Sequence, residues 1–350
     1  MRKLRIAQVA PLWFSIPPKK YGGIEWIIYY LCEGLTKLGH KVTLFATKDS
    51  KVPCKLIGTF PKPLTEIGVS WQDPSYNLMN LTEAYKRAKD FDIIHTHIDT
   101  WETFFAPLTK TISVHTIHNP LYTTKDPKKI SRFFILNHFK DQNFVAISKA
   151  QKKLSAVKIN FVAVIYNGIK IEDFKFNPKP KDHFIWCARI DKYKGIENAI
   201  EIAKKAKVKL ILAGRLDPTQ REYFRKKIKP HLGEKIKYIG EYSFEEKSDF
   251  FGKAKALLYP IEWHEPFGLN MIEAMACGTP VIAFKMGSVP EVVKDGKTGF
   301  VVKNVKEAVE AVKEIEKIKR EDCRKWVKER FTAERMVKEY EKLYFKLLKK

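Results

Sequence analysis

The sequence is poor in cysteine, and its cysteines follow no pattern. Five are scattered over 350 residues, an odd number in no metal-binding or redox spacing. A secreted fold held by a disulfide framework is therefore disfavoured, and a reducing compartment such as the cytoplasm is favoured. The five residues are Cys32, Cys54, Cys187, Cys277 and Cys323.

Long apolar runs are also missing. No run approaches the roughly 20 residues that a helix needs to cross a bilayer. Segment 1–14 has a basic start and a short apolar run, as a secretion signal does, but it lacks a small-residue cleavage pattern and leads into Pro17 and Pro18. We interpret it as the first strand. There is no low-complexity tract, and no internal repeat beyond a recurrent strand–helix unit.

Acidic residues are outnumbered. Lys and Arg total 65 against 40 Asp and Glu, which gives a formal net charge of +25. This excess predicts attraction to polyanions such as nucleic acid, anionic lipid or acidic glycans, without selecting among them. The length predicts about two domains, each able to bury a core.

The most informative stretch is 254–284. Its apolar run 256–261 predicts a strand, and the three-and-four spacing of apolar residues over 269–276 predicts a helix that Gly278 ends. A second apolar run, 281–284, predicts the next strand. The unit is therefore strand, turn, helix, strand.

The start of this helix is suited to an anion. We expect the N–H groups of Phe267, Gly268 and Leu269 to lack intrahelical partners and to carry about half a positive charge from the helix dipole. A phosphate is the natural ligand. Glu265 lies in the turn beside it and Glu273 about two turns further on. A phosphate flanked by two groups of hydroxyls describes a nucleotide sugar.

The segment EPFGLNMIEAMACGTPVIAFKMGSVPEVVKDGKTGFVV, which begins at Glu265, resembles the donor-site signature of retaining glycosyltransferases of family four, or group 1. The resemblance implies the GT-B architecture, in which two Rossmann-like, doubly wound α/β domains face each other across a cleft. It implies an acceptor-side domain at 1–166, with a C-terminal helix at about 331–350 packing back on it. A donor-binding domain follows at 167–330.

Paired glycines stand before a second helical pattern. Gly22 and Gly23 precede apolar residues at helical spacing, and such a pair lets a backbone approach a ligand closely. An ordinary Rossmann-type turn explains them equally well from the residues alone. The family places a Gly-Gly loop here facing the donor phosphates. Glu25 follows the same family pattern, without a role that the sequence specifies.

Two cations flank a predicted strand-to-helix turn. Arg189 and Lys194 come between the strand 183–188 and a helix that Gly195 opens. Arginine can bind two oxygens at once and lysine acts as a mobile point charge, so the pair suits a diphosphate. Surface ion pairing is the alternative. The match to the family's Arg-x4-Lys-Gly segment favours the phosphate interpretation.

A buried-type strand near residue 95 carries several polar side chains. Asp90 and Asp92 form an Asp-x-Asp pair at its start, the wrong end for a site, so we expect a solvated strand entry. His95 and His97 match the His-x-His of metal-dependent hydrolases, but a structural role is favoured because further ligands are not apparent. His97 and Asp99 are candidates for acceptor contact.

The resemblance extends to other segments. TIHN resembles the family segment whose histidine lies beside the reacting sugar, so His118 is the candidate for that role, while His115 is expected to be packed or acceptor-facing. The turns at Gly214 and at Glu241 and Tyr242 are implied to lie near the donor, the second of them beside the base.

Residues 125–158 are basic and interleaved with phenylalanines. A solvated helix face is the simplest explanation. Docking on anionic lipid headgroups is the more specific explanation. Lysine enrichment is also typical of proteins adapted to heat.

The sequence thus predicts a retaining, metal-independent hexosyltransferase that uses a nucleoside diphosphate sugar, of the UDP-glucose or GDP-mannose type, as co-substrate and requires no cofactor. The acceptor is a hydroxyl of a glycan, a lipid-linked molecule or a small molecule, and nucleic acid is not expected as a partner. We expect a cytoplasmic protein, with peripheral contact to an anionic membrane as an option. A sugar-nucleotide epimerase, a glycan phosphorylase and a non-catalytic polyanion-binding protein are the alternatives.

The predicted catalytic residues are His118, Arg189, Lys194 and Glu265; donor contacts are Gly22, Gly23, Gly214, Glu241, Tyr242, Phe267, Gly268, Leu269 and Glu273; acceptor contacts are His97 and Asp99.

Overall fold

A computed structural model describes residues 2–20, 22–69, 73–122 and 127–349, with side chains omitted for 127–130. The predicted basic stretch therefore lies partly outside the described residues. The chain forms two compact units, unit 1 (Met1–Gly168 and Ala333–Lys350) and unit 2 (Ile169–Thr332).

Strands and helices alternate along most of the chain. The strands are β1 Arg5–Val9, β2 Lys41–Thr47, β3 Lys55–Phe60, β4 Ile93–Thr96, β5 Ile112–Ile117, β6 Phe144–Ala146, β7 Phe161–Val164, β8 Phe184–Cys187, β9 Leu210–Ala213, β10 Ile236–Tyr238, β11 Leu257–Tyr259, β12 Val281–Phe284 and β13 Gly299–Val302. The helices are α1 Gly23–Lys37, α2 Ser75–Tyr85, α3 Pro127–His138, α4 Lys149–Lys153, α5 Ile196–Ala206, α6 Arg221–Tyr223, α7 Lys247–Gly252, α8 Leu269–Ala276, α9 Val289–Val292, α10 Val305–Glu314, α11 Arg320–Arg330 and α12 Ala333–Leu347.

Unit 1 contains a seven-stranded parallel sheet in the order β3-β2-β1-β4-β5-β6-β7. Its central strands are buried along almost their whole length, as expected when helices cover both faces of a parallel sheet. The strand order reverses between β1 and β4. Such a switch point opens a crevice at the carboxyl ends of the strands, where α/β proteins bind ligands.

The final helix belongs to unit 1. Gly34 on α1 lets α12 approach closely, since a Cβ there would lie 2.5 Å from a Cγ of Val337. Glu341 on α12 also lies 2.8 Å from Nε2 of the buried His40. The C-terminal segment is thereby fixed against the N-terminal half of the chain.

Unit 2 repeats the architecture with a six-stranded parallel sheet in the order β10-β9-β8-β11-β12-β13. Its switch point lies between β8 and β11. The predicted fold class, two Rossmann-like α/β domains, is confirmed by the two sheets. Among the described residues, no helix combines the length and apolar character needed to span a bilayer.

Candidate functional site

The predicted donor residues of unit 2 gather at its switch point. Arg189 and Lys194 follow β8, and Glu265 follows β11, the strand paired with β8. Because parallel strands present their carboxyl ends at one edge of the sheet, these segments converge there.

Lys194 and Glu265 form the centre of this cluster. The Lys194 Nζ lies 3.0 Å from Oε2 of Glu265 and 3.9 Å from the centroid of the Trp263 indole. The same carboxylate oxygen accepts hydrogen bonds from Trp263 Nε1 at 2.8 Å and from the Tyr259 hydroxyl at 3.1 Å. Three donors therefore fix one oxygen of Glu265. Burial lowers the pKa of Lys194, while the charge of Glu265 opposes that shift.

Arg189 is held less tightly. Its side chain is 38% exposed, and its guanidinium lies 3.5 Å from the Asp191 carboxylate, at the outer limit of a hydrogen bond. Its positive charge is close enough to Lys194 to contribute to the lowered pKa of that lysine. The two cations thus belong to one electropositive cluster, and Arg189 retains capacity to bind an anion.

The helix that follows Glu265 spans the predicted residues, 269–276, so its first turn does not include Phe267. α8 starts at Leu269, and Gly268 precedes it in a left-handed conformation with φ 83°. Phe267 lies outside the helix, where its ring is buried against Phe331, so the prediction that its amide belongs to the first helical turn was wrong. No described side chain caps this helix end. The first helical amides, from Leu269 onward, are therefore the ones placed to bind an anion.

Glu273 on α8 has one paired oxygen and one unpaired oxygen. Its carboxylate is buried, and Oε1 lies 2.6 Å from Nζ of Lys247, which is itself buried. Oε2 has no hydrogen-bond partner among the described residues. An unsatisfied buried carboxylate oxygen is costly unless a ligand completes it. Glu273 is thus a strong candidate to accept a hydrogen bond from a bound molecule.

The predicted base-binding turns are partly engaged in the fold. The amide of Gly214 donates to the carbonyl of Gly240 at 2.8 Å, which ties the two turns together. The Tyr242 hydroxyl lies 2.7 Å from Sγ of Cys187, while Glu241 is exposed. Burial raises the pKa of the Cys187 thiol to about 12, so this cysteine is not a nucleophile at neutral pH.

In unit 1, the predicted glycine loop immediately precedes α1. Gly22 occupies the N-cap position with φ 152°, and Gly23 is the first helical residue. Glu25, in the first turn, is buried, and desolvation raises the pKa of its carboxyl to about 7.

A cavity of about 180 Å³ opens in unit 1. Its lining includes Trp13, His97, Asp99, Trp101 and His118, so the two acceptor candidates and the candidate catalytic histidine share one pocket. This volume is below the ~300–1,000 Å³ of typical small-molecule pockets. The cavity is therefore sized for a single ring rather than a large ligand.

Asp99 in this cavity is held in an unusual conformation. Its φ of 75° places a non-glycine residue in the left-handed region, and its carboxylate lies 2.5 Å from the guanidinium of Arg132. Arg132 also donates to the carbonyl of Pro120 at 2.6 Å. The ion pair thus positions a strained residue at the pocket wall.

The other polar residues near β4 have structural partners. Asp92 accepts from the Arg5 amide and pairs with the side chains of Arg2 and Arg5. His115 is fully buried, with Nδ1 2.7 Å from the Thr96 hydroxyl. No group of three or more potential metal-ligating side chains occurs in the described part of the chain.

Sequence reasoning missed several residues of both clusters. Trp263 and Tyr259 bind Glu265, Lys247 binds Glu273, and Gln8 binds His97 with Oε1 2.9 Å from Nε2. Lys247 could have been noticed, because it stands four residues before the buried Phe251 on α7, where a charge requires a partner.

Two family models match consecutive parts of the chain. Residues 21–173 match the model described as Glycosyltransferase Family 4, and residues 169–331 match the model described as Glycosyl transferases group 1. Together they cover most of the sequence.

Some similar proteins match over nearly their full length and others over little more than half of it. An uncharacterized glycosyltransferase of Methanocaldococcus jannaschii is 27% identical over 343 residues, covering 93% of this chain and 95% of that protein. Alignments with two further relatives span 56% and 60% of their lengths. A sucrose-phosphate synthase structure from Thermosynechococcus elongatus matches with a TM-score of 0.83 at 22% identity, covering 99% of both chains. Anabaena HepE in complex with UDP-glucose matches with a TM-score of 0.73 at 17% identity, covering 97% of this chain and 98% of that one.

Proposed function

Because the chain belongs to the group 1 glycosyltransferases, with the GT-B fold, we propose that it transfers a hexosyl group from a nucleoside diphosphate sugar to a hydroxyl acceptor with retention of anomeric configuration. The observation that carries this proposal is the switch-point cluster of unit 2. There, the largely buried Lys194–Glu265 pair lies before α8, and Glu273 on α8 has one carboxylate oxygen without a partner among the described residues.

Each group of the cluster suits one part of such a donor. Negative charge grows on the diphosphate as the glycosidic bond breaks, and Arg189, Lys194 and the first amides of α8 are placed to stabilise it. These cations take the role that a divalent metal has in other sugar transferases, so the reaction needs no metal. Glu265 accepts hydrogen bonds from sugar hydroxyls, and the free oxygen of Glu273 accepts one from the ribose.

Unit 1 supplies the acceptor side. Its cavity combines the indoles of Trp13 and Trp101 with the carboxylate of Asp99. Aromatic surface with a few placed polar groups suits a ring that bears hydroxyls. His97 and His118 also line the cavity, and His118 hydrogen-bonds a sugar hydroxyl.

The donor is a nucleotide sugar of the UDP-glucose or GDP-mannose type. Anabaena HepE, a structural neighbour at low identity, has been crystallised with UDP-glucose, which supports this class of donor without selecting the base. The five cysteines are all free thiols in the described chain, which supports a cytoplasmic location.

A donor panel tests the reaction directly. The protein is incubated with UDP-glucose, UDP-N-acetylglucosamine, GDP-mannose and related donors, and slow release of nucleoside diphosphate is measured alone and with sugar acceptors. At least one donor should be hydrolysed or transferred, and Glu265→Gln should abolish the release. A polyanion-binding protein releases no nucleotide, an epimerase converts the sugar without releasing it, and a phosphorylase requires orthophosphate.

Unit 1 also carries exposed apolar side chains that suit a membrane surface. Phe104, Leu108 and Phe134 are 44%, 77% and 72% exposed, and the Phe104 ring packs edge-on against Phe139 at the end of α3. Exposed lysines follow in the same segment, at Lys140, Lys149, Lys152, Lys153 and Lys158. Aromatic side chains beside cations are typical of interfacial docking on anionic lipid.

Vesicle pelleting tests this docking. Binding to vesicles should rise with the fraction of anionic lipid, fall with added salt, and weaken in Phe104→Ser and Leu108→Ser. The control Ile239→Ser alters an apolar residue of unit 2 that is 50% exposed. Vesicle binding that does not depend on the fraction of anionic lipid would exclude this docking. That result would leave the transferase proposal unaffected.

A further inference from the structure

A chain of buried hydrogen bonds leads from the cavity of unit 1 into its interior. Nε2 of His118 lies 3.0 Å from Nδ1 of His97, whose Nε2 lies 2.9 Å from Oε1 of Gln8. Nε2 of Gln8 lies 3.3 Å from the Tyr344 hydroxyl, which lies 2.7 Å from Nδ1 of His95. The pocket histidine is thus connected, through β1, to the C-terminal helix α12.

The chain continues beyond His95. Its Nε2 lies 2.7 Å from the Thr116 hydroxyl, which lies 2.9 Å from the hydroxyl of Tyr340, one turn before Tyr344 on α12. Both ring nitrogens of His95 are therefore engaged, which explains its structural role.

The three histidines of this chain are neutral at pH 7. Burial lowers the pKa of His118 to about 3, and it lowers the pKa of His97 and His95 well below the usual range. A neutral imidazole has one N–H donor and one lone-pair acceptor. The tautomer of each ring therefore fixes the tautomer of the next, and all the protons of the chain point in one direction.

Gln8 sets that direction, because its amide has a carbonyl end that only accepts and an NH2 end that only donates. Its Oε1 faces His97 and its Nε2 faces Tyr344, and the bond lengths agree with this orientation. A distance of 3.3 Å to Tyr344 is too long for a hydroxyl donor, whose bonds are about 2.5–3.0 Å, and closer to the N–H range. The 2.7 Å bond to His95 fits a hydroxyl donor. Tyr344 therefore accepts from Gln8 and donates to His95, and the carbonyl of Gln8 accepts from His97.

We propose that Gln8 is a positioning residue that holds His118 as the tautomer with its proton on Nε2. Because the Gln8 carbonyl accepts from Nε2–H of His97, the Nδ1 of His97 is left as an acceptor. The Nε2–H of His118 therefore donates to the Nδ1 of His97. The Nδ1 of His118 then presents a lone pair to the cavity ligand. His118 accepts a hydrogen bond from a substrate hydroxyl rather than donating one, a consequence that rests on the proposed function.

Nitrogen-15 NMR of the intact, histidine-labelled protein tests the tautomer without reference to activity. The His118 signals, identified by their loss in His118→Ala, should show a protonated Nε2 and an unprotonated Nδ1 in the wild type. Gln8→Leu removes the acceptor of His97, and Tyr344→Phe removes the acceptor of Gln8, so both should yield a mixture of tautomers at His118. Tyr85→Phe is the matched control. It removes the hydrogen bond from the Tyr85 hydroxyl to Ser113 on β5, which lies outside this hydrogen-bond chain, and it should leave the signals unchanged.

Two results overturn the proposal: a protonated Nδ1 in the wild type, or an unchanged tautomer in both Gln8→Leu and Tyr344→Phe. If Gln8→Leu fails to fold, the isosteric Tyr344→Phe carries the test. Turnover by Gln8→Leu should fall about fivefold to tenfold, as for the loss of one hydrogen bond, with unchanged affinity for the nucleotide. If His118→Ala retains full turnover while the NMR result holds, the assigned role of His118 in transfer fails and the control of its tautomer stands.

Discussion

At the residue scale, Lys194 is the side chain on which the proposed chemistry depends most. A largely desolvated ammonium costs free energy unless it is paired, and here Glu265 and the face of Trp263 offset that cost for Lys194, whose side chain is 15% exposed. The result is a cation fixed in place before any ligand arrives. Such a preset charge stabilises a developing anion without further reorganisation.

We expect Lys194→Met to lower kcat about a hundredfold, since preorganised electrostatic donors contribute on that scale, while donor affinity changes less. Steady-state kinetics with the active donor measure both. Lys192→Met is the control, because Lys192 is an exposed lysine of the same short 3-10 turn. Equal turnover of the two variants would remove Lys194 from the leaving-group role.

Glu25 predicts a pH dependence of stability. Burial raises the pKa of its carboxyl from 4.5 to about 7, so the native protein binds this proton more tightly than the unfolded chain does. Its contribution to stability is complete below pH 4.5 and is lost as the pH rises through about 7. Relative to Glu25→Gln, the wild type should lose up to about 3 kcal/mol of unfolding free energy over that range.

Urea denaturation between about pH 5 and pH 8 measures this difference. Glu33→Gln is the control on the same helix, where the carboxylate pairs with Lys37 at the surface. A difference between Glu25→Gln and wild type that stays constant across the range would show that Glu25 does not titrate as described.

At the element scale, the strand–helix–strand unit after residue 254 was readable from the sequence. The predicted strand 281–284 is β12, and the apolar spacing over 269–276 is α8. These segments are predictable because burial imposes a period on the apolar residues. The amide of Phe267, expected in the first turn, lies before the helix, since the left-handed backbone of Gly268 leaves no signal in side-chain periodicity.

The side-chain partners were much less predictable. Lys194 and Glu265 are 71 residues apart, Lys247 and Glu273 are 26 apart, and Gln8 and Tyr344 are 336 apart. Such pairs are created by tertiary packing, which a local pattern does not encode. Family resemblance indicated Lys194, Glu265 and Glu273, but it gave no information about what holds them.

The junction before α5 predicts a large effect of a small substitution. Gly195 has φ 72°, and a Cβ there would lie 1.9 Å from the carbonyl oxygen of Pro260. Gly296 has a similar φ of 69°, with no described atom within 4 Å of a Cβ. Gly296→Ala should therefore cost about 1–2 kcal/mol of stability from backbone strain alone.

Gly195→Ala should cost about 1–3 kcal/mol more, because the clash must also be relieved. The shift would move the adjacent Lys194 and reduce donor turnover, whereas Gly296→Ala should keep turnover unchanged. Thermal unfolding and turnover of the two variants provide the comparison. If Gly195→Ala and Gly296→Ala were equally destabilising, the backbone at Pro260 would relax away from the new Cβ without a loss of stability.

At the scale of the whole molecule, the two units place their polar residues in the same way. Each has a parallel sheet whose order reverses once, at β1 and β4 in unit 1 and at β8 and β11 in unit 2. Most predicted site residues follow the carboxyl ends of those strands or of their neighbours β5, β9 and β10. The net charge of +25 is spread over many lysines and arginines, while the proposed chemistry uses only a few carboxylates, cations and histidines.

The most direct test of the account is the affinity of unit 2 for a nucleotide, measured by titration calorimetry with UDP and GDP on the intact chain. The wild type should bind one of them, and Glu273→Ala should weaken that binding about tenfold to a hundredfold, because a hydrogen bond to a charged carboxylate is worth about 1.5–3 kcal/mol. Glu262→Ala, at an exposed glutamate of the loop between β11 and α8, should bind as the wild type does. Glu273→Ala binding as tightly as the wild type would contradict the assignment of this cluster as the donor site.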